Sequence, residues 1–165
     1  MRPERPNRPR SAFTLVELLV VMVILAIAAA VIVPYATDTD GLQAMAAARR
    51  MTSDLEYAQN AAITAQSPVT VTFSAQNDAY WLSNASGPLI HPINKSDFRV
   101  DFGAGGSFET VDVFSANFDG TEAVTFDELG TPDHSGWVIL MAGPHLYRIE
   151  VAPATGRLTV TETGP

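Results

Sequence analysis

The chain has 165 residues, 47% of them hydrophobic and 17% charged, with a formal net charge of -8. Enough apolar surface is present to offset the ordering of a backbone, so disorder over most of the length is excluded. The absence of cysteine excludes a disulfide scaffold, a thiolate metal site and a cysteine nucleophile together, and the acidic balance argues against affinity built on phosphate neutralisation.

The charge is unevenly placed. Residues 1–12 carry Arg2, Arg5, Arg8 and Arg10 against Glu4 alone, whereas residues 13–165 hold six basic and seventeen acidic side chains. A basic leader over 1–12 is thus followed by an acidic body. From Leu18 to Thr37 no side chain is charged. Those twenty residues as a helix rise by ~1.5 Å each and reach ~30 Å, the hydrocarbon thickness of a bilayer. The run is apolar on all sides and has no water-facing stripe. A membrane-spanning helix over 13–37 is predicted. Arginines before it, with Asp38 and Asp40 after it, predict a cytoplasmic N-terminus and an exported remainder. The run continues into Pro34 and Tyr35 without a small-residue cleavage site, so a retained span is expected rather than a secretory signal peptide.

Glu17 stands out at the head of this run, where a buried charge costs about 2.5–3.5 kcal/mol even on lenient insertion scales. Two compatible readings apply. In one, Thr14 is the helix N-cap and Glu17 the acid three residues on, a capping box. In the other, Glu17 awaits a cation from another chain.

The arginine-rich leader, Ser11-Ala12, then Phe13-Thr14-Leu15-Val16-Glu17-Leu18-Leu19 before a long apolar helix resembles a type IV prepilin or a type II secretion pseudopilin. The resemblance implies cleavage between Ala12 and Phe13 by a prepilin peptidase, N-methylation of Phe13, and pairing of Glu17 with the N-terminal amine of a neighbouring subunit. Thr14 shares that assembly segment. Ala12 stands where the family usually has glycine. A free α-amine has a pKa near 8 and is largely charged at neutral pH, so Glu17 gains a suitable partner only after cleavage.

Beyond the span, Pro34 lacks an amide donor and is expected to kink the helix without ending it. Leu42, Met45, Ala48, Met51, Leu55, Ala58 and Ala62 recur at steps of three and four, an apolar stripe on an amphipathic helix. Residues 38–66 therefore read as a continuation of the first helix, one long kinked rod ended by Ser67-Pro68. After Pro68 the period becomes two, with Val69, Val71 and Phe73 alternating with Thr70, Thr72 and Ser74. Further strands are predicted at 80–82, 98–102, 110–114, 123–126, 137–141, 146–151 and 158–161, with loops at 84–97 and 103–109. The predicted fold is α+β: a long N-terminal helix packed on an antiparallel β domain over 67–165.

The segments Met51–Gln66 with Pro68-Val-Thr-Val, Val124-Thr-Phe-Asp-Glu-Leu-Gly130-Thr-Pro, and Ile149-Glu-Val with Pro153-Ala-Thr-Gly156-Arg157 are similar to the H-type minor pseudopilins and their FimT-like pilus relatives. This implies a structural subunit, not an enzyme, in a short periplasmic fibre that drives protein export. The implied partners are the prepilin peptidase, other major and minor pseudopilins, the inner-membrane secretion platform with its ATPase, and membrane lipid before assembly. The implied location is the bacterial inner membrane, then the periplasmic pseudopilus. The alternative is a FimT-like minor pilin of a type IV pilus with a role in assembly or DNA uptake. Arg148 and Arg157 are the pair that could cluster for nucleic acid, a partner the overall charge disfavours.

Other motifs point to no catalytic residue, cofactor or metal. His91, His134 and His145 lack ligand spacing. Asp38-x-Asp40-Gly41 opens like a calcium loop but has no closing acid. Gly103-Ala-Gly-Gly106 is not followed by a helical pattern. Asp127-Glu128 reads as a solvated turn, and Trp81, Trp137 and Tyr147 as sheet core. Gly130 and Gly156 are expected at positive φ.

Overall fold

A computed structural model describes residues 14–36 and 39–164, and side chains of 31–36 are not described. The basic leader and the Ala12–Phe13 bond lie outside the described residues. The chain forms two compact units, one up to Asp38 and one from Thr39 onward.

In the first unit, helix α1 (Leu15–Ala36) has 22 residues. Every described side chain from Thr14 to Ala30 is exposed except Ala28, which is half-buried. Pro34 falls within α1, which runs two residues past it. Among the described residues no helix is long and apolar enough to cross a membrane. The side chains of α1 are described only from Leu15 to Ala30, sixteen residues, where a span takes ~20.

In the second unit, helix α2 (Asp40–Ala65) buries Ala44, Ala47, Ala48, Met51, Leu55, Ala58 and Ala62. The one rod expected over 13–66 thus corresponds to two described helices, with residues 37 and 38 outside the description. The stripe also differs at its start. Leu42 is 72% and Met45 38% exposed, and Ala44 and Ala47 are buried instead. Alanines at those positions let the helix backbone approach the sheets more closely than Leu or Met would. The C-terminus of α2 closes in a Schellman arrangement, with the Ser67 amide donating to the Ala62 carbonyl at 3.2 Å and Gln66 left-handed at φ 47°. Glycine usually fills that position. Here the Gln66 side chain compensates by donating to the carbonyls of Ile63 at 2.8 Å and Glu128 at 3.3 Å.

Among the described residues nine strands form two antiparallel sheets. The first has β1 (Val69–Ser74) between β2 (Ala79–Asn84) and β6 (Ala123–Phe126); the two-residue β3 (Gly87–Pro88) and β4 (Arg99–Asp101) both pair with β2. The second runs β5 (Asp112–Asn117), β7 (Gly136–Ala142), β8 (His145–Val151), β9 (Leu158–Thr163) in spatial order. Helix α2 packs on β1, β6, β7, β8 and β9, so the core lies between one helix and the inner faces of both sheets. Alternation decides the inner set: Val69, Val71 and Phe73 on β1, Val138, Leu140 and Ala142 on β7, Tyr147, Ile149 and Val151 on β8. Phe73 stacks on Phe118 at 5.6 Å between ring centroids.

Three details depart from the sequence reading. β3 lies inside the segment expected to be loop. β5 begins two residues later than expected and carries a register shift between Val113 and Ser115. Trp81 and Trp137 are half-buried rather than core, each lying under a guanidinium, Arg99 at 5.3 Å and Arg148 at 5.1 Å. Period-two alternation already put them on outward faces; their size suggested burial.

Candidate assembly site

The head of α1 has the geometry of a capped helix. Thr14 Oγ1 accepts from the Glu17 amide at 3.2 Å, and the Thr14 carbonyl accepts from Leu18 at 3.2 Å. One half of the expected capping box is therefore present. Among the described residues the Glu17 carboxylate has no hydrogen bond or ion pair. Phe13 lies outside the described residues. Pro34 leaves the carbonyl four residues before it without its helical donor, and it does not end the helix.

In the second unit a groove of about 660 Å³ crosses one end of the outer face of the second sheet. Trp137, Arg148, Glu150, Arg157, His134 and Asp119 line it. Arg148 lies over the Trp137 ring, and its Nε is 2.8 Å from Glu150 Oε1, though off the line that a hydrogen bond requires. Arg148 and Arg157 do share a site, but beside Asp119 and Glu150, so the groove is of mixed sign and not a basic patch.

The motif around Gly130 and Gly156, noticed only as sequence, has a mechanical cause. Gln59 of α2 donates through Nε2 to the carbonyls of Gly130 at 2.7 Å and Thr155 at 3.0 Å. One amide thus holds two loops to the helix. Both glycines have positive φ, +80° and +64°; a Cβ at Gly130 would meet Ile63 Cδ1 at 2.7 Å and one at Gly156 the Gln59 amide at 2.6 Å. Sequence reasoning missed Gln59. Its signal was a glutamine placed one residue from the buried Ala58.

Asp127 is a turn-former, as its sequence context predicts: its Oδ1 accepts from the amides of Leu129 at 2.9 Å and Thr131 at 2.7 Å. The half-buried Asp54 accepts from the Tyr80 hydroxyl at 2.5 Å. Burial pushes the Asp54 carboxyl above its ordinary value, against the Tyr80 hydrogen bond and the charges of Arg50 and His91. Burial, then the neighbouring Asp54, hold the Tyr80 phenol well above its own.

The three histidines are apart. His91 Nδ1 accepts from Ile93 and Asn94 amides, at 3.2 and 3.4 Å, and orders its loop. His134 has a ring nitrogen 3.5 Å from each of Asp119 and Asp133, and His145 lies 3.4 Å from Glu162. Among the described residues no three such side chains are grouped to hold a metal.

Two proteins of solved structure share this fold. The minor pseudopilin EpsH of the Vibrio cholerae type 2 secretion system superposes with a TM-score of 0.56 at 11% identity, over 72% of this chain and 96% of that one. The type IV minor pilin FimU of Pseudomonas aeruginosa gives 0.53 at 16% identity, over 74% and 92%. At such identities the likeness concerns the fold alone. No curated protein matches the sequence closely enough to be counted a relative. Residues 7–33 match the prokaryotic N-terminal methylation motif. Residues 47–163 match the family described as Type II transport protein GspH, and the chain belongs to that family, a GspH/FimT-like branch of the type IV pilin-like proteins.

Proposed function

We propose that this chain is a structural minor pseudopilin of a type II secretion system. It is made as a single-pass inner-membrane precursor with residues 13–37 in the bilayer, cut between Ala12 and Phe13, methylated at Phe13, and drawn into a periplasmic pseudopilus. The β domain faces the periplasm throughout. The observation that carries the reading is the pairing, in one chain, of the methylation motif with the GspH domain, and the Thr14-capped Glu17 supports it. A carboxylate without a partner in an apolar helix is unfavourable in lipid, and so is a lone amine at its edge; bringing the two together in a fibre relieves both. The prepilin peptidase, the other pseudopilins, and the secretion platform with its ATPase are the partners this role requires.

The test is Glu17→Ala in the producing cell. The variant is expected at normal level in the inner membrane and absent from sheared pseudopili. Normal incorporation would mean that assembly does not need the Glu17 carboxylate and would overturn its pairing with a neighbouring amine. The FimU likeness favours a second reading, a minor pilin of a type IV pilus. Deleting the gene distinguishes them: loss of protein export with pili intact supports the first, loss of pili with export intact the second.

A further inference from the structure

The two sheets have four edges, and three of them are protected against further pairing. On one side of the first sheet, β3 and β4 have two and three residues. On its other side, Phe126 of β6 bridges to Pro132, and Asp133 takes the Thr125 amide at 2.9 Å and returns its own amide to the Thr125 carbonyl at 2.8 Å. In the second sheet β5 is broken by its register shift. Short strands, covering loops and bulges are the usual ways in which edges are protected.

β9 has none of these. It is six residues long, Leu-Thr-Val-Thr-Glu-Thr, with no proline and no bulge, and among the described residues of its unit it pairs only with β8. Thr159 to Thr163 are all exposed. The direction of its backbone follows from its first contact. The Ala152 amide donates to the Arg157 carbonyl at 2.9 Å, so 152 and 157 bond to each other. Antiparallel pairs alternate, and the register then turns Thr159, Thr161 and Thr163 toward β8. Leu158, Val160 and Glu162 present their N–H and C=O groups outward. Their side chains share the inner face with Val151, Ile149 and Tyr147, and Val160 there remains 40% exposed. Glu162 is the one charged side chain of β9, and His145 lies 3.4 Å from it.

We infer that the outer edge of β9 is a docking site for an extended strand of a different protein chain, added antiparallel, with a basic residue opposite Glu162 and an apolar residue two positions later opposite Val160. Main-chain bonds supply the affinity of such an addition and alternate side chains its specificity. A strand laid beside Glu162 removes water from a carboxylate, so a cation there is favoured and an acid strongly disfavoured. A second copy of β9 fits this poorly. Its only charged side chain is another acid, and residues 13–165 of each copy carry six bases against seventeen acids. This inference concerns the β domain alone and does not depend on which fibre the chain serves.

The test uses the full chain in detergent micelles and the peptide acetyl-Ser-Lys-Thr-Val-Thr-Ser-amide at millimolar concentration, read by amide hydrogen exchange. Exchange at Val160 and Glu162 is expected to slow by about tenfold or more, while Thr159 and Thr161, already bonded to β8, stay unchanged. Val160→Pro removes one outward amide and leaves the β8 ladder; it is expected to abolish the slowing with its circular dichroism preserved. Glu162→Lys is expected to lose the lysine peptide and to accept one with Glu in place of Lys. No slowing with wild type, equal slowing by both peptides, or slowing away from β9 would overturn the proposal. So would a dimer of the full chain that Val160→Pro dissociates, since the occupant would then be a second copy.

Discussion

The two described helices are both rich in small and aliphatic residues, and they treat those residues in opposite ways. Along α1 the apolar side chains from Leu15 to Ile27 face outward around the whole circumference. Along α2 the apolar positions from Ala44 to Ala62 that turn inward form one buried stripe under two sheets, while Leu42, Met45 and Ile63 and charged residues such as Arg49 and Glu56 are exposed on other faces. Hydrophobic burial inside the unit accounts for α2. It cannot account for α1, whose apolar surface calls for cover from lipid or from other chains.

Substitutions can break that contrast. The largest effect is expected at Gly136 of β7, where a Cβ would strike the Asn117 carbonyl oxygen and the Phe118 ring. Gly136→Ala should prevent folding of the β domain, seen as loss of the cooperative melt of the full chain. Next, Leu55→Ala on the buried stripe should destabilise by about 2–5 kcal/mol in denaturant unfolding, whereas Leu18→Ala on α1 should leave that transition unchanged. An equal loss at Leu18 would mean that α1 is buried by its own chain.

Smaller effects sharpen the polar side of the core. Tyr80→Phe takes the donor from half-buried Asp54 and should cost about 1–3 kcal/mol. Asp54→Asn keeps an acceptor without the charge and should remain within about 1 kcal/mol of wild type at neutral pH. Because the folded carboxyl titrates above its unfolded value, its contribution is fully present below the ordinary carboxylate range and is lost as pH rises through the folded pKa. The wild type should therefore lose stability relative to Asp54→Asn on going from about pH 4 to 7. A gain over that window would reverse the sign of the burial effect.

The strands were legible because alternation is a property of a few adjacent residues. Val69 to Ser74 declares its buried face without reference to anything else. The start of the α2 stripe was misread for a related reason: periodicity allowed either Leu42 and Met45 or Ala44 and Ala47 to turn inward, and hydrophobicity favoured the larger pair. What decided it was the close approach of the sheets, a long-range fact. The same applies to Gln59, whose two carbonyl partners lie 71 and 96 residues away. The division into two sheets, and with it the unprotected edge at β9, depends on pairings that no local pattern encodes. The proposed assembly segment is the reverse case. Phe13 to Leu19 carries its meaning in consecutive residues, and the structure adds the Thr14 cap beside it.

The central claim is that the chain becomes a fibre subunit by losing its leader. The most direct measurement is the intact mass of the protein after co-expression with its prepilin peptidase. A product beginning at Phe13 and one methyl group heavier is the result this account predicts. A product still beginning at Met1, beside a cognate substrate that is cut normally, would contradict it, because Glu17 would then have no partner amine.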